Sequence, residues 1–266
     1  MRIRKTVFMA LLLVLLGISA AKAMAEGSLK THTNSIGMQF MLIPAGSAAL
    51  ESAGNSWGKH AEREMTVTVS HPFYLSAYEV TQEQWMAVMG PGNNPSQFKG
   101  PHHPVEHVSW DEAQEFIRRL NAMEGHERYR LPTENEWRFA VLSGAETSCF
   151  SREKPKSWAE AKDFFDADAW FYANPEDPTH PVGRKRANRY GLYDLLGNVY
   201  EWVQNRDTAS PRGPADVLAP APRFYQVHGG DSWRYLAGYC RLEYAVLDRP
   251  DPRFARIGLR MALTPK

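Results

Sequence analysis

The stretch Tyr190-Gly-Leu-Tyr-Asp-Leu-Leu-Gly-Asn-Val-Tyr-Glu-Trp202 decides how the rest of the chain is interpreted. Its two glycines allow backbone conformations that side chains forbid. Asp194, Asn198 and Glu201 bring three oxygen-bearing side chains close together in sequence. Calcium takes about six to eight oxygen ligands, some of them main-chain carbonyls. The residues alone leave two alternatives open: a calcium-binding loop, or an irregular core loop whose carboxylates cap nearby N–H groups.

This stretch resembles the G-L-Y-D-M-x-G-N-V-W-E-W signature of the formylglycine-generating enzyme family, also called sulfatase-modifying factors. Six further blocks resemble the family in the same order: Met38-Gln-Phe-Met-Leu-Ile-Pro-Ala-Gly46, Tyr78-Glu-Val-Thr-Gln-Glu-Gln-Trp85, Pro104-Val-Glu-His-Val-Ser-Trp-Asp-Glu-Ala113, Arg130-Leu-Pro-Thr-Glu-Asn-Glu-Trp137, His228-Gly-Gly-Asp-Ser-Trp233 and Gly258-Leu-Arg260. The resemblance implies an α+β fold of the C-type-lectin-like type. We expect a single compact, loop-rich domain over residues 26–266, with little regular secondary structure.

The resemblance also implies a structural calcium ion. Its ligands would be the carboxylates of Asp194 and Glu201 and the main-chain carbonyls of Gly197 and Val199. We therefore expect calcium as the cofactor, and neither copper nor iron.

The catalytic positions of the family are altered. Enzymes that make formylglycine use two cysteines after the G-G-S block, which together bind copper. Cys240 falls at the second of these positions, but Tyr235 falls at the first. A phenol does not replace a thiolate as a soft ligand for Cu(I). The family's His-Arg pair falls on Leu236 and Ala237, and Tyr200 replaces a tryptophan. We expect that this chain has lost formylglycine-generating activity.

The residues that remain at that site are polar and aromatic. They predict a pocket for an aromatic or peptide-like ligand, in which an arginine holds an anion; the lining would be Tyr200, Trp233, Tyr235, Tyr239 and Arg241. The alternative is that they are core and rim residues of a closing sheet. Ser232 and Cys240 are weak catalytic candidates. Cys240 is interpreted first as a buried thiol or as one half of a disulfide with Cys149, the other cysteine of the chain.

Residues 1–25 have the layout of a secretory signal peptide: a basic start, an apolar run from Thr6 to Ala21, and small residues at the expected cleavage positions. The apolar run is short for a membrane span, although an uncleaved anchor remains the alternative. Removal of residues 1–25 takes away four basic residues and changes the formal charge from +1 to −3. We expect a periplasmic or secreted protein with no membrane span after cleavage and no electrostatic basis for nucleic-acid binding.

Short elements are predicted along the mature chain. Met65 to Ser70 alternates as a strand does, and Phe40 to Ile43 forms another strand. Four S/T-x-x-E/Q capping boxes predict helix starts; they begin at Thr81, Ser109, Thr133 and Ser157. The helix after Ser109 is amphipathic and should end near Gly125.

Two functions are compatible with these features. The first is a calcium-stabilised accessory or regulatory protein that binds a periplasmic protein or peptide, as family members do in type VI secretion. The second is an oxidative tailoring enzyme similar to the periplasmic family member of pyoverdine maturation. The missing thiol favours the first function. The tyrosines and arginines around the predicted pocket favour the second.

Overall fold

The computed structural model of the chain describes residues 30–50, 65–144, 167–170, 179–204, 223–229, 240–246 and 257–266. Within these ranges the helices with assigned bounds are α1 (Gln82–Met89), α2 (Trp110–Glu124) and α3 (Glu134–Gly144). The strands are β1 (Thr31–Thr33), β2 (Gln39–Ile43), β3 (Gly46–Leu50), β4 (Met65–Val69), β5 (Phe73–Ser76), β6 (Tyr129–Arg130), β7 (Tyr200–Val203), β8 (Arg223–Gly229), β9 (Cys240–Val246), β10 (Ile257–Leu259) and β11 (Ala262–Leu263).

A five-stranded antiparallel sheet joins the beginning of the described chain to its end. Its strand order is β1-β2-β5-β11-β6, so β11 lies between β5 and β6. Met41 pairs with Leu75, and Leu75 pairs in turn with Ala262. All three residues are buried. The C-terminal strand therefore completes the core, and Arg260, two residues before it, lies in the interior.

A four-stranded sheet has the order β10-β7-β8-β9. Strand β10 runs parallel to β7, and the other pairs are antiparallel. Strands β3 and β4 form a separate two-stranded sheet. Glu201 on β7 pairs with Gly258 on β10, which places the end of the 190–202 stretch beside the Gly-Leu-Arg block.

The capping boxes predicted from the sequence are confirmed for all three described helices. Thr81 and Ser109 each accept a hydrogen bond from the third helical residue, whose side chain binds back to the cap. Thr133 and Glu136 make the same reciprocal pair. Helix α2 ends at Gly125, whose φ of 71° is left-handed and suits glycine. The capping box predicted at Ser157 lies outside the described residues.

The core consists of two clusters of buried side chains. One packs the apolar face of α2 against β10 and α1, where the rings of Trp85 and Phe116 stack with centroids 5.1 Å apart. The other packs α3 against β4, β5 and the 190–202 stretch. Trp202 belongs to the first cluster and the adjacent Val203 to the second. Strand β7 therefore has both faces buried.

The mixed architecture with few helices confirms the predicted fold class. The strands predicted at Phe40 to Ile43 and Met65 to Ser70 are also confirmed, as β2 and β4. The predicted signal peptide, residues 1–25, lies outside the described residues. None of the helices in the described ranges is long and apolar enough to cross a membrane.

Candidate functional site

Arg260 lies at the centre of the site, directly after β10, and its side chain is completely buried. Its guanidinium donates to the carbonyls of Ser76 and Ala77, both at 2.9 Å, and to that of Tyr193 at 2.7 Å. Its Nε donates to both carboxylate oxygens of Glu201 at 3.0 and 3.1 Å, and its Nη2 lies 2.9 Å from Glu201 Oε1. Each of the three guanidinium nitrogens therefore donates at least one hydrogen bond. Arg260 therefore ties the end of β5 to the 190–202 stretch.

The Glu201 carboxylate accepts hydrogen bonds from the protein at both of its oxygens. Besides Arg260, it accepts a hydrogen bond at 2.6 Å from the indole Nε1 of Trp137 on α3. Glu201 is only 1% exposed. The guanidinium and indole contacts therefore engage both oxygens of the carboxylate. Glu201 thus joins β7, α3 and the C-terminal segment in one buried ion pair.

Asn198 and Glu79 form the second layer of the site. Asn198 has a left-handed φ of 59°, and its amide nitrogen donates to Glu79 Oε2 at 2.6 Å. The other oxygen of Glu79 accepts from the backbone N–H of Val199 at 3.1 Å. The Asn198 side chain also pairs with both backbone polar groups of His180. Glu79, which is buried, therefore holds the turn that leads into β7.

Asp194 closes the outer side of the site. Its Oδ1 accepts from the indole Nε1 of Trp170 at 2.9 Å, and its Oδ2 accepts from the backbone N–H of Gly183 at 2.6 Å. The Trp170 ring stacks on the His180 ring at 3.8 Å, and the Lys185 ammonium lies 4.3 Å from the Trp170 ring centroid. Asp194 is buried, so these neutral donors take the place of water around its charge.

Gly197 cannot carry a side chain in this arrangement. Its φ is 103°, and a Cβ placed on it would lie 1.7 Å from the carbonyl oxygen of Trp170. The neighbouring carbonyl of Leu196 accepts the backbone N–H of Trp170 at 2.7 Å. The glycine thus permits the close approach that fixes Trp170 against the loop.

Buried negative charge exceeds buried positive charge at the site. The carboxylates of Glu79, Asp194 and Glu201 lie within electrostatic range of a single guanidinium, that of Arg260. Burial, reinforced by Asp194 and Glu201, raises the pKa of Glu79 well above its usual value. Burial also raises the pKa of Asp194, against the hydrogen bonds from Gly183 and Trp170. The site is therefore suited to hold a further positive charge, either a proton or a cation.

The predicted calcium ligands fit a calcium ion unequally. The excess of buried carboxylate favours a cation, and calcium accepts oxygen ligands, but within the described ranges no group of three or more His, Cys, Asp or Glu side chains is placed to hold a metal ion. Each oxygen of Asp194 accepts one hydrogen bond and so retains acceptor capacity. Glu201 differs, because a cation at its carboxylate would share the oxygens with Arg260 and Trp137. Asp194 is thus the better candidate ligand of the two.

The structure describes only part of the predicted pocket. Tyr200 is half-buried at the start of β7. Cys240 and Arg241 begin β9, and Cys240 pairs with Gly229 at the end of β8. The segment that contains the other predicted residues therefore connects the paired ends of these two strands. Those residues, Ser232, Trp233, Tyr235 and Tyr239, lie outside the described ranges.

Four residues of the site were missed by the sequence reasoning: Glu79, Trp137, Trp170 and Arg260. Glu79 and Arg260 each stand as the one charged residue in a short apolar run. Charged residues are almost never fully buried unless they are paired. That pattern is a usable signal for a buried ion pair. Nothing in the sequence around Trp170 indicates its contact with Asp194.

Two relatives and one solved structure are among the proteins that are similar to this chain. It is 31% identical over 222 residues to the chaperone protein LppX of Paenibacillus barcinonensis, with 61% of this chain and 78% of the relative covered. It is 29% identical over 199 residues to the formylglycine-generating enzyme of Thermomonospora curvata, with 68% of this chain covered. The match spans only 61% of that enzyme.

The solved structure is that of Treponema denticola variable protein 1. It superposes with a TM-score of 0.63 at 28% identity and covers 90% of this chain and 100% of that protein. The model of the sulfatase-modifying factor enzyme 1-like domain matches residues 26–265. This match agrees with the order of the sequence blocks and with the mixed fold. The chain therefore belongs to the family of the sulfatase-modifying factor enzyme 1-like domain.

Proposed function

We propose that this chain is a binding protein of the family, one that does not generate formylglycine. The observation that carries the proposal is Tyr235 at the position of the first catalytic cysteine. A two-thiolate Cu(I) site needs two cysteine sulfurs within bonding distance of one ion. The chain has two cysteines. The one other than Cys240 is Cys149, which lies far from Cys240 in sequence and outside the G-G-S region.

The backbone pairing of β8 and β9 supports this alignment. Cys240 lies opposite Gly229, the first glycine of the Gly-Gly block. In the sequence, Tyr235 falls in the connection between these two paired strands. The predicted pocket residues lie in or beside this connection, and we propose that they contact a protein or peptide partner.

The similar proteins include one named for each of the two modes of action, binding and formylglycine generation. One is called a chaperone, a protein that acts by binding, and another is called a formylglycine-generating enzyme. We propose that this chain follows the former in its mode of action. The predicted signal peptide implies export to the periplasm or the medium. An accessory protein of a type VI secretion pathway is one example of such a binding protein. Fractionation of cells that carry a tagged full-length chain tests the export.

Calcium is proposed as a structural ion at the 190–202 stretch. Asp194 would hold it together with the Gly197 and Val199 carbonyls. Glu201 would contribute its carboxylate, which it shares with Arg260. The bound ion would supply positive charge to a buried site with an excess of carboxylates. A ligand that binds only the folded state raises the melting temperature.

The loss of formylglycine generation is tested with Cu(I) and a substrate peptide. The purified mature chain is titrated with Cu(I) against a colorimetric chelator and then incubated with a Cys-x-Pro-x-Arg peptide under oxygen. We expect neither tight copper binding nor conversion of the peptide cysteine to the aldehyde. Tight stoichiometric copper binding or peptide conversion would refute the proposal.

A gain-of-thiolate variant tests the alignment behind the proposal. Tyr235→Cys should bind Cu(I) at least about tenfold more tightly than the wild type, because two thiolates then lie near one ion. Tyr235→Cys combined with Cys240→Ser is the matched control and should lose that gain. Equal copper affinity of the wild type and the single variant would mean that Tyr235 does not occupy the first-cysteine position.

The calcium proposal has its own test, and its outcome does not depend on the outcome of the copper test. Elemental analysis should find calcium, and EDTA should lower the melting temperature. Asp194→Asn should reduce both effects, because it removes a ligand charge and keeps the shape. Absence of calcium, with no effect of EDTA, would mean that Asp194 serves only Trp170 and Gly183.

A further inference from the structure

Residues 183–194 form a closed loop, which we call the basic loop. Its ends are joined by the hydrogen bond from the Gly183 N–H to Asp194 Oδ2. Inside it, the Asn188 side-chain oxygen accepts the backbone N–H groups of Tyr190 and Leu192, and its amide nitrogen donates to the carbonyl of Ala140 on α3. Loops of this kind, with adjacent ends and internal packing, often carry function.

The basic loop carries four cations and, before the buried Asp194, no acidic residue. Arg186 is neutralised by a bidentate pair with Asp168 at 2.6 and 2.7 Å, and Lys185 lies over Trp170. The two remaining cations are Arg184 and Arg189. Both side chains are exposed, and in the part of the chain that the structure describes neither has an acidic partner.

Tyrosines border these two arginines. The Arg189 guanidinium lies 5.0 Å from the Tyr190 ring centroid and donates to its hydroxyl at 3.1 Å. Close to Gly183, the half-buried rings of Tyr78 and Tyr193 stack with centroids 4.9 Å apart. Contact with the ring restricts the Arg189 side chain before any partner binds. Tyrosine and arginine are also the residue types enriched at protein interfaces.

We propose that the basic loop is a docking surface for an acidic segment of a protein partner, with Arg184 and Arg189 as its carboxylate-binding groups. Planar guanidiniums bind carboxylates bidentately, and tyrosine rings cover the apolar stems of a bound peptide. The mature chain is predicted to have a net charge of −3. A local cationic surface on an anionic protein selects acidic segments by position and does not attract every anion.

Two other anionic partners fit this surface less well. Stable attraction to an anionic membrane takes clusters of about four to eight basic residues, and the basic loop offers two cations without acidic partners. Nucleic-acid affinity depends on many neutralised phosphates, which an anionic protein with two such arginines does not provide. The carboxylates of a short acidic segment match the number and shape of the available groups.

The test uses the mature protein and a fluorescein-labelled oligoglutamate peptide, with anisotropy measured at low salt. Arg184→Ala combined with Arg189→Ala should weaken peptide binding by about tenfold, the loss of two exposed charge pairs. The matched control replaces Arg118 and Arg119 by alanine. These two arginines are exposed as well, but both are paired with Glu115 at 2.6 to 2.8 Å. The control should keep wild-type affinity.

Melting curves of the two double variants should match that of the wild type. An equal loss of affinity in both double variants would overturn the proposal, because it would show attraction by overall charge. Wild-type affinity in the Arg184 and Arg189 variant would overturn it as well. Tighter binding to vesicles with phosphatidylglycerol, or to single-stranded DNA, than to the peptide would assign the surface to a different class of partner.

Discussion

Replacement of Arg260 by methionine should destabilise the protein severely. The substitution keeps much of the side-chain length and removes the guanidinium. Glu201 would then be a buried carboxylate without a counter-charge, and the carbonyls of Ser76, Ala77 and Tyr193 would lose their donor. Removal of one partner of a buried ion pair costs about 3–5 kcal/mol. Since proteins of this kind are stable by about 5–15 kcal/mol, the variant should lie near the limit of folding.

The assay is urea unfolding, followed by tryptophan fluorescence, on the mature chain. The free energy of unfolding should fall by about 3–5 kcal/mol for Arg260→Met. The control is Arg118→Met. Arg118 binds Glu115 through two N–H groups at 2.7 and 2.8 Å, but its side chain is 67% exposed. Its replacement should leave the unfolding midpoint unchanged, because exposed ion pairs contribute little.

A double variant separates the ion pair from the packing around it. Arg260→Met combined with Glu201→Gln removes both charges, so it should be more stable than Arg260→Met alone. If Arg260→Met does not fold, recovery of soluble protein in the double variant reports the same coupling. An Arg260→Met variant as stable as the wild type would refute the buried ion pair as a determinant of the fold.

Three further predictions concern single residues. Gly197→Ala should cost more than the roughly 1–3 kcal/mol of a strained backbone position, because its Cβ would also clash with the Trp170 carbonyl; the loss of melting temperature measures it. Ser109→Ala should cost about 1 kcal/mol in urea unfolding, through the lost cap to Glu112. Burial lowers the pKa of His103 below its usual 6.5. The folded state therefore binds fewer protons at His103 than the unfolded state does. The stability that His103 contributes should be lost as the pH falls from about 6.5 through the lowered pKa. The variant His103→Asn should flatten this part of the pH profile of the unfolding free energy.

The local elements could be predicted because their determinants lie within a few residues. The capping boxes at Thr81, Ser109 and Thr133 are pairs three residues apart, and each marks a helix start in the structure. The alternation of β4 similarly follows from side chains that point to opposite faces of a strand. Such signals survive in any tertiary context that buries the apolar face.

The partners of the site residues could not be predicted, because they come from distant parts of the chain. Glu201 and Arg260 are 59 residues apart, and Glu79 and Asn198 are 119 residues apart. The sequence pattern identified Asp194 and Glu201 as oxygen donors, and the family resemblance implied that both bind calcium. The structure adds that Glu201 also binds Arg260 and Trp137. Residue type alone does not distinguish a metal ligand from an ion-pair partner.

The central claim, a member of this family that binds a partner and does not make formylglycine, is tested most directly by one product measurement. The mature protein, supplied with equimolar Cu(I) and oxygen, is incubated with a Cys-x-Pro-x-Arg peptide, and the peptide is analysed by mass spectrometry for the aldehyde. An active family enzyme serves as the positive control. The account predicts that the peptide cysteine remains unconverted while the positive control consumes it. Aldehyde formation above the background without protein would contradict the account.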